Sequence, residues 1–167
     1  MGPQTLEASR TVYLGLGSNL GDRAAVIAAA LRALSGRRIL RDMCVSPIYE
    51  TEAVAVDPQP SYLNAVVRGE TNMPAAAVLA NCLKIENLLG RVRPRERPKA
   101  PRTIDIDLLL YDAEVIDTHA LKVPHPALLE RAFVLIPLAD VALPGLVHPI
   151  TGVALTIAAP SPAVHRR

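Results

Sequence analysis

The chain has 167 residues, of which 50% are apolar and 3% aromatic, and its formal net charge is +2. This length suits one domain with a single core built from Ala, Val, Leu and Ile, and this charge argues against wholesale nucleic-acid binding. No apolar run approaches the ~18–20 residues that span a bilayer, and the two cysteines, Cys44 and Cys82, are expected to fill the core. We therefore expect a cytoplasmic monomer with one domain over residues 1–167, flexible tails at 1–10 and 159–167, and no nucleic-acid or membrane partner.

The first half of the chain is predicted to contain three strands and one helix. Residues 12–17 are a short buried strand, and apolar positions at helical spacing predict a helix over 22–34 that Gly36 stops. A weakly patterned strand over 38–46 is followed by a loop punctuated with prolines. Alternation over 62–70 predicts a strand with Tyr62, Asn64 and Val66 on one face.

The second half is predicted to add one helix, one strand and a tail. A helix begins at Pro74 and ends at Gly90, and the alternation over 103–111 is the clearest strand signal in the chain. The order β-α-β-β-α-β predicts an α+β fold, a ferredoxin-like sandwich in which two helices cover one face of an antiparallel sheet. The C-terminal addition comprises a short strand near Val115, a brief helix over 126–131 and the apolar run FVLIPLADVA, which packs back on the core.

The segment GLGSNLGDR, residues 15–23, has three glycines between an apolar strand and a helix, as phosphate-binding turns do. Its spacing is G-x-G-x-x-x-G, which is not the dinucleotide fingerprint, and no G-K-[ST] follows. Asp42 lies at a suitable distance for a ribose contact, but the further helices of a doubly wound sheet are missing. We favour a turn, with Asn19 or Gly21 capping the helix and Asp22 in its first turn, over a phosphate cradle.

Two carboxylates share one side of the strand predicted over 103–111. Asp105 and Asp107 are about 7 Å apart at Cβ for a rise of ~3.3 Å per residue, and they face away from the apolar stripe. Such hard oxygen ligands suit Mg²⁺, which also takes substrate phosphates. The alternative is the solvated polar face of an amphipathic strand.

A basic segment leads directly into this strand. Residues 91–102 contain one acid, Glu96, and six basic residues: Arg91, Arg93, Arg95, Arg97, Lys99 and Arg102. Guanidinium groups bind phosphate oxygens in a bidentate manner. A pair of carboxylates beside an arginine-rich segment is typical of metal-assisted transfer of a phosphoryl group.

Several motifs, in this order, resemble one enzyme family over about residues 12–145. They are GLGSNLGDR, SPIYETEAV, YLNAVV, ENLLGRVR, APRTIDIDLLLYD and VPHPALLERAFVLIPL. The sequence resembles the 6-hydroxymethyl-7,8-dihydropterin pyrophosphokinases of folate biosynthesis. This resemblance implies transfer of pyrophosphate from the co-substrate ATP to the pterin hydroxymethyl group, with release of AMP.

The resemblance also implies roles for individual residues. The two metal ligands, holding two Mg²⁺ ions on the ATP phosphates, would be Asp105 and Asp107, and the catalytic arginines would be Arg91 and Arg102. Further ATP contacts fall on Glu86, Arg93, Arg97, His125 and Arg131. The pterin pocket falls on Thr51, Val54, Tyr62, Asn64 and Phe133, with Tyr62 and Phe133 on either side of the ring.

These residues have plainer interpretations when the family is set aside. Phe133 is then a core aromatic, His125 a loop residue, and Glu86 a solvent-facing charge near the end of a helix. The basic segment departs from the family, because R-P-K-A-P-R replaces runs such as R-W-G-P-R and no aromatic residue can close over the substrates. This departure bears on ATP affinity and loop closure more than on the reaction type.

Two functions of other classes remain as alternatives. A ferredoxin-like sheet with a basic loop could bind RNA, but the paired aromatic residues that stack bases are missing from its central strand. A protein that retains the pterin pocket and has lost catalysis is the other alternative, and the altered basic segment is its support.

Overall fold

One antiparallel sheet organises the chain. A computed structural model describes residues 8–52, 58–90 and 103–167, and over these residues three α-helices pack on the sheet in an α+β arrangement. The strands are β1 (Arg10–Ser18), β2 (Arg41–Val45), β3 (Tyr49–Thr51), β4 (Tyr62–Thr71), β5 (Asp105–Tyr111), β6 (Ile116–Asp117), β7 (Lys122–Val123) and β8 (Val164–Arg166). The helices are α1 (Arg23–Gly36), α2 (Ala75–Leu88) and α3 (Ala132–Val141), with a 3₁₀ turn at Leu128–Glu130. The order across the sheet is β5-β1-β4-β3-β8, β2 also pairs with β4, and β6 and β7 form a separate hairpin.

Helices α1 and α2 close one face of the sheet. The period of two in β1 directs Val12, Leu14 and Leu16 toward this face, where they join the main hydrophobic core. The helices contribute apolar residues at helical spacing: Ile27, Ala30 and Leu34 from α1, and Val78, Cys82 and Ile85 from α2. Burial in this core raises the pKa of the Cys82 thiol to about 12, so this cysteine is an inert packing group, as expected.

Helix α3 covers part of the other face, so the apolar run of the tail does pack back on the core. Its apolar side chains meet Tyr13, Val66 and Leu110 of the sheet in a second cluster. Polar contacts fasten its C-terminal end: Tyr49 Oη donates to Asp140, Arg68 donates to the carbonyl of Val141, and Tyr13 Oη accepts a hydrogen bond of 3.0 Å from Leu143 N. Beside its N-terminal end, a cavity remains open between the helix and the sheet.

Local patterns miss the shortest elements. The segment predicted as a proline-punctuated loop contains β3, and residues 159–167 are predicted to be flexible, whereas Val164–Arg166 form β8 against β3. Both strands have three residues, too few to show a period of two, and β8 depends on a long-range pairing. The helix predicted over 126–131 is only the 3₁₀ turn at Leu128–Glu130. Within the described ranges, the structure contains no helix that could span a membrane.

Asp22 caps α1, which corrects the prediction that Asn19 or Gly21 would do so. Its Oδ1 accepts a hydrogen bond of 3.1 Å from Ala25 N, and the helix begins at the next residue. Gly21 forms the preceding turn with φ of 72°, a conformation that favours glycine. The Asn19 side chain instead bonds to residues before β4, which leaves the capping role to the carboxylate.

We predict that Asp22→Ala lowers the free energy of unfolding by about 1 kcal/mol, because an orphan N–H of the first turn loses its acceptor. Urea denaturation followed by circular dichroism measures this change. The control is Arg32→Ala at an exposed position of the same helix, which should change stability by less than about 0.5 kcal/mol. An unchanged midpoint for Asp22→Ala would contradict the capping role.

Candidate active site

A cavity of about 300 Å³ opens where α3 leaves the sheet uncovered. Seven residues predicted as site residues line it: Thr51, Tyr62, Asn64, Asp105, Asp107, Arg131 and Phe133. Glu86 and His125 are not part of this lining. The predictions for Val54, Arg91, Arg93, Arg97 and Arg102 fall outside the described residues.

Two glycines of GLGSNLGDR form the floor of the cavity. Gly15 and Gly17 lie inside β1, on the face opposite the helices, and pair with Asp107 and Asp105 of the neighbouring strand. A Cβ atom added at Gly17 would approach Asn64 Oδ1 to 3.2 Å, so a side chain here would crowd the lining. The predicted turn is at Gly21, whereas Gly15 and Gly17 lie within the strand predicted over residues 12–17. Their spacing of two along a strand is the signal that would have placed them on the cavity face.

Asp105 and Asp107 lie on one side of the cavity, as the period of two predicted. Both are half-buried, and Arg131 Nη1 lies 3.9 Å from Asp107 Oδ2. In the part of the chain that the structure describes, no group of three or more His, Cys, Asp and Glu residues could hold a metal ion. Two carboxylates nevertheless fit Mg²⁺, because this ion retains several waters and completes its shell with substrate phosphates.

Polar and aromatic groups line the opposite side of the cavity. Asn64 Nδ2 donates a hydrogen bond of 2.9 Å to Thr51 Oγ1, and both residues are buried, so this bond fixes the amide. Tyr62 and Phe133 supply aromatic surface, and the Arg131 guanidinium lies 5.7 Å from the Phe133 ring centroid. Aromatic surface beside a fixed amide suits a flat heterocycle with hydrogen-bonding edges.

Glu86 supports the strand that carries the aspartates. Its side chain is 2% exposed, and Oε1 accepts a hydrogen bond of 2.8 Å from Ile106 N, midway between Asp105 and Asp107. The interpretation of Glu86 as a solvent-facing charge is therefore wrong. Buried carboxylates require such partners, and this pairing between α2 and β5 fixes the backbone on which both aspartates stand.

His125 is held by its backbone and by one ring nitrogen. Its N–H donates to Leu109 O at 2.9 Å, and Nδ1 accepts a bond of 3.1 Å from Ala127 N. Burial lowers the pKa of the imidazole, the nearby Arg131 charge lowers it further, and Asp105 opposes this shift in part. The ring is therefore neutral at pH 7, with Nδ1 as an acceptor.

Sequence reasoning missed two polar residues of the lining, Glu52 and Gln59. They flank residues 53–57, which are outside the described ranges, and they come from the segment interpreted as a loop. No periodicity marks them, because they belong to no helix or strand.

Comparisons with known proteins agree on one family. Residues 13–143 match the profile of the family described as 7,8-dihydro-6-hydroxymethylpterin-pyrophosphokinase (HPPK). A 2-amino-4-hydroxy-6-hydroxymethyldihydropteridine pyrophosphokinase of Aquifex aeolicus is 43% identical over 141 residues, which cover 84% of each chain. The folic acid synthesis protein fol1 of Schizosaccharomyces pombe is 42% identical over 86% of this chain, and the match spans only 19% of the yeast protein.

A solved structure shares the fold. The wild-type HPPK-DHPS of Plasmodium falciparum with pterin and p-hydroxybenzoate superposes with a TM-score of 0.64 at 16% identity. The match covers 90% of this chain and 42% of that chain. The chain described here therefore spans less than half the length of this structural neighbour.

We predict that His125 titrates below the ordinary histidine pKa of about 6.5, because burial and Arg131 both disfavour the imidazolium. NMR of the imidazole resonances across a pH series, recorded without divalent cations, measures the midpoint. Arg131→Ala removes one cause of the shift and should raise the midpoint toward the ordinary value. A midpoint above 6.5 in the unmodified protein would contradict this prediction.

Proposed function

The chain belongs to the 7,8-dihydro-6-hydroxymethylpterin-pyrophosphokinase family, and on this basis we propose the reaction that it catalyses. It is an enzyme that transfers pyrophosphate from ATP to the hydroxymethyl group of 6-hydroxymethyl-7,8-dihydropterin and releases AMP, a step of folate biosynthesis. The pterin hydroxyl attacks the β-phosphorus in line, and the bond from this phosphorus to the α-phosphate oxygen breaks, so that AMP leaves. The hydroxyl proton passes to a nearby carboxylate or to water.

One observation carries this proposal: a single cavity combines a side that suits a pterin with a side that suits phosphates. Strands β3 and β4 contribute Thr51, Tyr62 and Asn64 to the cavity, and β5 contributes Asp105 and Asp107. The two glycines of β1 lie between these groups. A pterin held against β4 would direct its hydroxymethyl group across this bare backbone toward the carboxylates. Holding two reactants in one geometry removes much of the entropic cost of the reaction.

The pterin site in this proposal consists of Thr51, Tyr62, Asn64 and Phe133, with Val54 from the family resemblance. The amide of Asn64 is already oriented by Thr51, so it can read the hydrogen-bonding edge of the ring without reorganising. Phe133 and Tyr62 offer ring surfaces for stacking.

The phosphate site in this proposal centres on β5. Asp105 and Asp107 would hold Mg²⁺, which supplies charge neutralisation on the ATP phosphates when it is bound. Arg131 lies beside Asp107, so its guanidinium can bind an oxygen of a phosphate held at this carboxylate. Glu86 supports the site by accepting the hydrogen bond from Ile106 N. The family resemblance adds His125 and, beyond the described residues, the catalytic Arg91 and Arg102 together with Arg93 and Arg97.

The finer description of the fold is also part of the proposal. The sequential order β1-α1-β2/β3-β4-α2-β5 and the sheet order β5-β1-β4-β3 support the ferredoxin-like class, with α3, β8 and the β6–β7 hairpin as additions. Both substrates are small molecules, and action as a monomer in the cytoplasm remains a prediction.

We predict that Asp105→Asn or Asp107→Asn lowers Mg²⁺-dependent release of AMP by about 100-fold or more, a loss of about 2.7 kcal/mol of transition-state stabilisation. The measurement is AMP produced from ATP with the hydroxymethyl dihydropterin present, with and without Mg²⁺. Circular dichroism spectra should remain unchanged, because both side chains lie on the cavity side of the sheet and not in the core.

The matched control for these variants is Asp117→Asn. Asp117 is an exposed aspartate on β6 that pairs with Lys122 and does not line the cavity. This variant should retain the unmodified rate, because exposed ion pairs contribute little. Retained Mg²⁺-dependent activity in both cavity variants would exclude these carboxylates as the metal ligands.

We further predict that Gly17→Ala weakens pterin binding by about tenfold, because the added methyl group displaces the Asn64 amide and fills the floor of the cavity. Steady-state kinetics with varied pterin concentration measure the change as an increase in KM. Gly36→Ala is the control, since its added Cβ would have no heavy atom within 4 Å. Equal KM values for the two variants would show that the bare floor is not required.

A further inference from the structure

The segment that leads into β4 forms part of the cavity wall without support from the sheet. Gln59 and Tyr62 both line the cavity, while residues 58–61 belong to no strand or helix. The ladder between β3 and β4 ends at the pair Thr51 and Tyr62. Backbone pairing therefore does not set the position of Gln59–Ser61, and side chains from elsewhere in the chain must do so.

Asn19 supplies two of these contacts. Its Nδ2 lies 3.1 Å from Gln59 Oε1 and 3.2 Å from the carbonyl of Pro60, so one amide group donates to two successive residues. Asn19 itself is fully buried at the end of β1, where the preceding strand limits its movement. Because the amide is buried and its N–H groups are already hydrogen-bonded, it holds Gln59 and Pro60 in a fixed position.

Arg23 supplies the other contacts from the first turn of α1. Its Nη1 lies 2.8 Å from both the carbonyl oxygen and Oγ of Ser61, and 3.2 Å from Glu50 Oε1. Ser61 Oγ in turn donates to the same carboxylate, and these hydrogen bonds from Ser61 and Arg23 lower the pKa of Glu50. Glu50 lies on β3, so the guanidinium joins α1, β3 and the segment before β4.

We propose that Asn19 and Arg23 are positioning residues that set the affinity for the pterin by holding Gln59–Ser61. This inference rests on the proposed function, because it assumes that the cavity binds a pterin. Neither residue lines the cavity, so each acts through the segment that carries Gln59 and Tyr62. Arg23 is the more informative of the two, since it is only part-buried at the end of a helix and can be replaced without opening the core.

The ion pair between Arg23 and Glu50 is stronger than a hydrogen bond between neutral groups, and it is directional. A guanidinium presents its donors in a fixed plane. Its bonds to Ser61 and Glu50 therefore restrict the backbone at Ser61 and the distance between β3 and α1. Without them, the segment would have to be ordered when the ligand binds, and this cost lowers affinity. The effect should therefore appear in the pterin constants and not in those of ATP, whose proposed site centres on β5.

The test compares Arg23→Ala with Arg32→Ala, a change of the same residue type at an exposed position of the same helix. Equilibrium binding of fluorescent 6-hydroxymethylpterin and steady-state kinetics with each substrate varied are the measurements. We expect Arg23→Ala to raise the Kd and KM for the pterin by about tenfold and to leave kcat and the KM for ATP within about twofold. Arg32→Ala should behave as the unmodified protein.

Three results would overturn the proposal. The first is unchanged pterin binding by Arg23→Ala, and the second is an equal rise in both KM values, which indicates a general structural defect. If Arg23→Ala does not fold, Glu50→Gln and Ser61→Ala apply the same test, and unchanged pterin binding by both is the third. A smaller, selective rise in the pterin KM for these two variants supports the proposal.

The same measurements separate this inference from the proposed function. An unmodified protein that binds no pterin would contradict the proposed function itself. If the unmodified protein binds pterin and releases AMP, and the Arg23→Ala variant binds pterin with equal affinity, only the positioning role is contradicted.

Discussion

Side chains along β1 alternate between the two faces of the sheet, and this alternation places both the core and the candidate site. Its apolar residues face α1 and α2, while Gly15 and Gly17 face the other side with no side chain at all. One strand therefore supports the core and leaves bare backbone at the centre of the opposite face. Both neighbouring strands, β4 and β5, pair with it and are thereby aligned around that bare region.

Helix α3 decides how much of that face stays open. Its C-terminal end is fastened by the contacts of Tyr49, Arg68 and Tyr13, and it covers the sheet where Tyr13 and Val66 are large and apolar. Its N-terminal end carries Phe133, which, with the preceding Arg131, lines the cavity instead of closing it. The same helix thus completes the second cluster and supplies one wall of the candidate site.

The segment GLGSNLGDR serves several structural purposes in nine residues. Two glycines form the cavity floor, Asp22 caps α1, and Asn19 and Arg23 bond to the residues that precede β4. A phosphate cradle was the alternative suggested by its glycines, but in the structure Gly15 and Gly17 lie inside β1 and pair with Asp107 and Asp105. Its position explains how a motif without catalytic groups can bear on ligand affinity.

Patterns within single segments are sufficient to predict the elements with long periodicity and the chemistry of β5. Helices α1 and α2, strand β4 and the shared face of Asp105 and Asp107 follow from spacings of 3.6 and 2, which are properties of a single segment. Three features arise only when the chain folds: the burial of Glu86 against Ile106, the pairing of β3 with β8 and the cavity between β1 and α3. Each of these joins residues distant in sequence, and a local period carries no information about such partners.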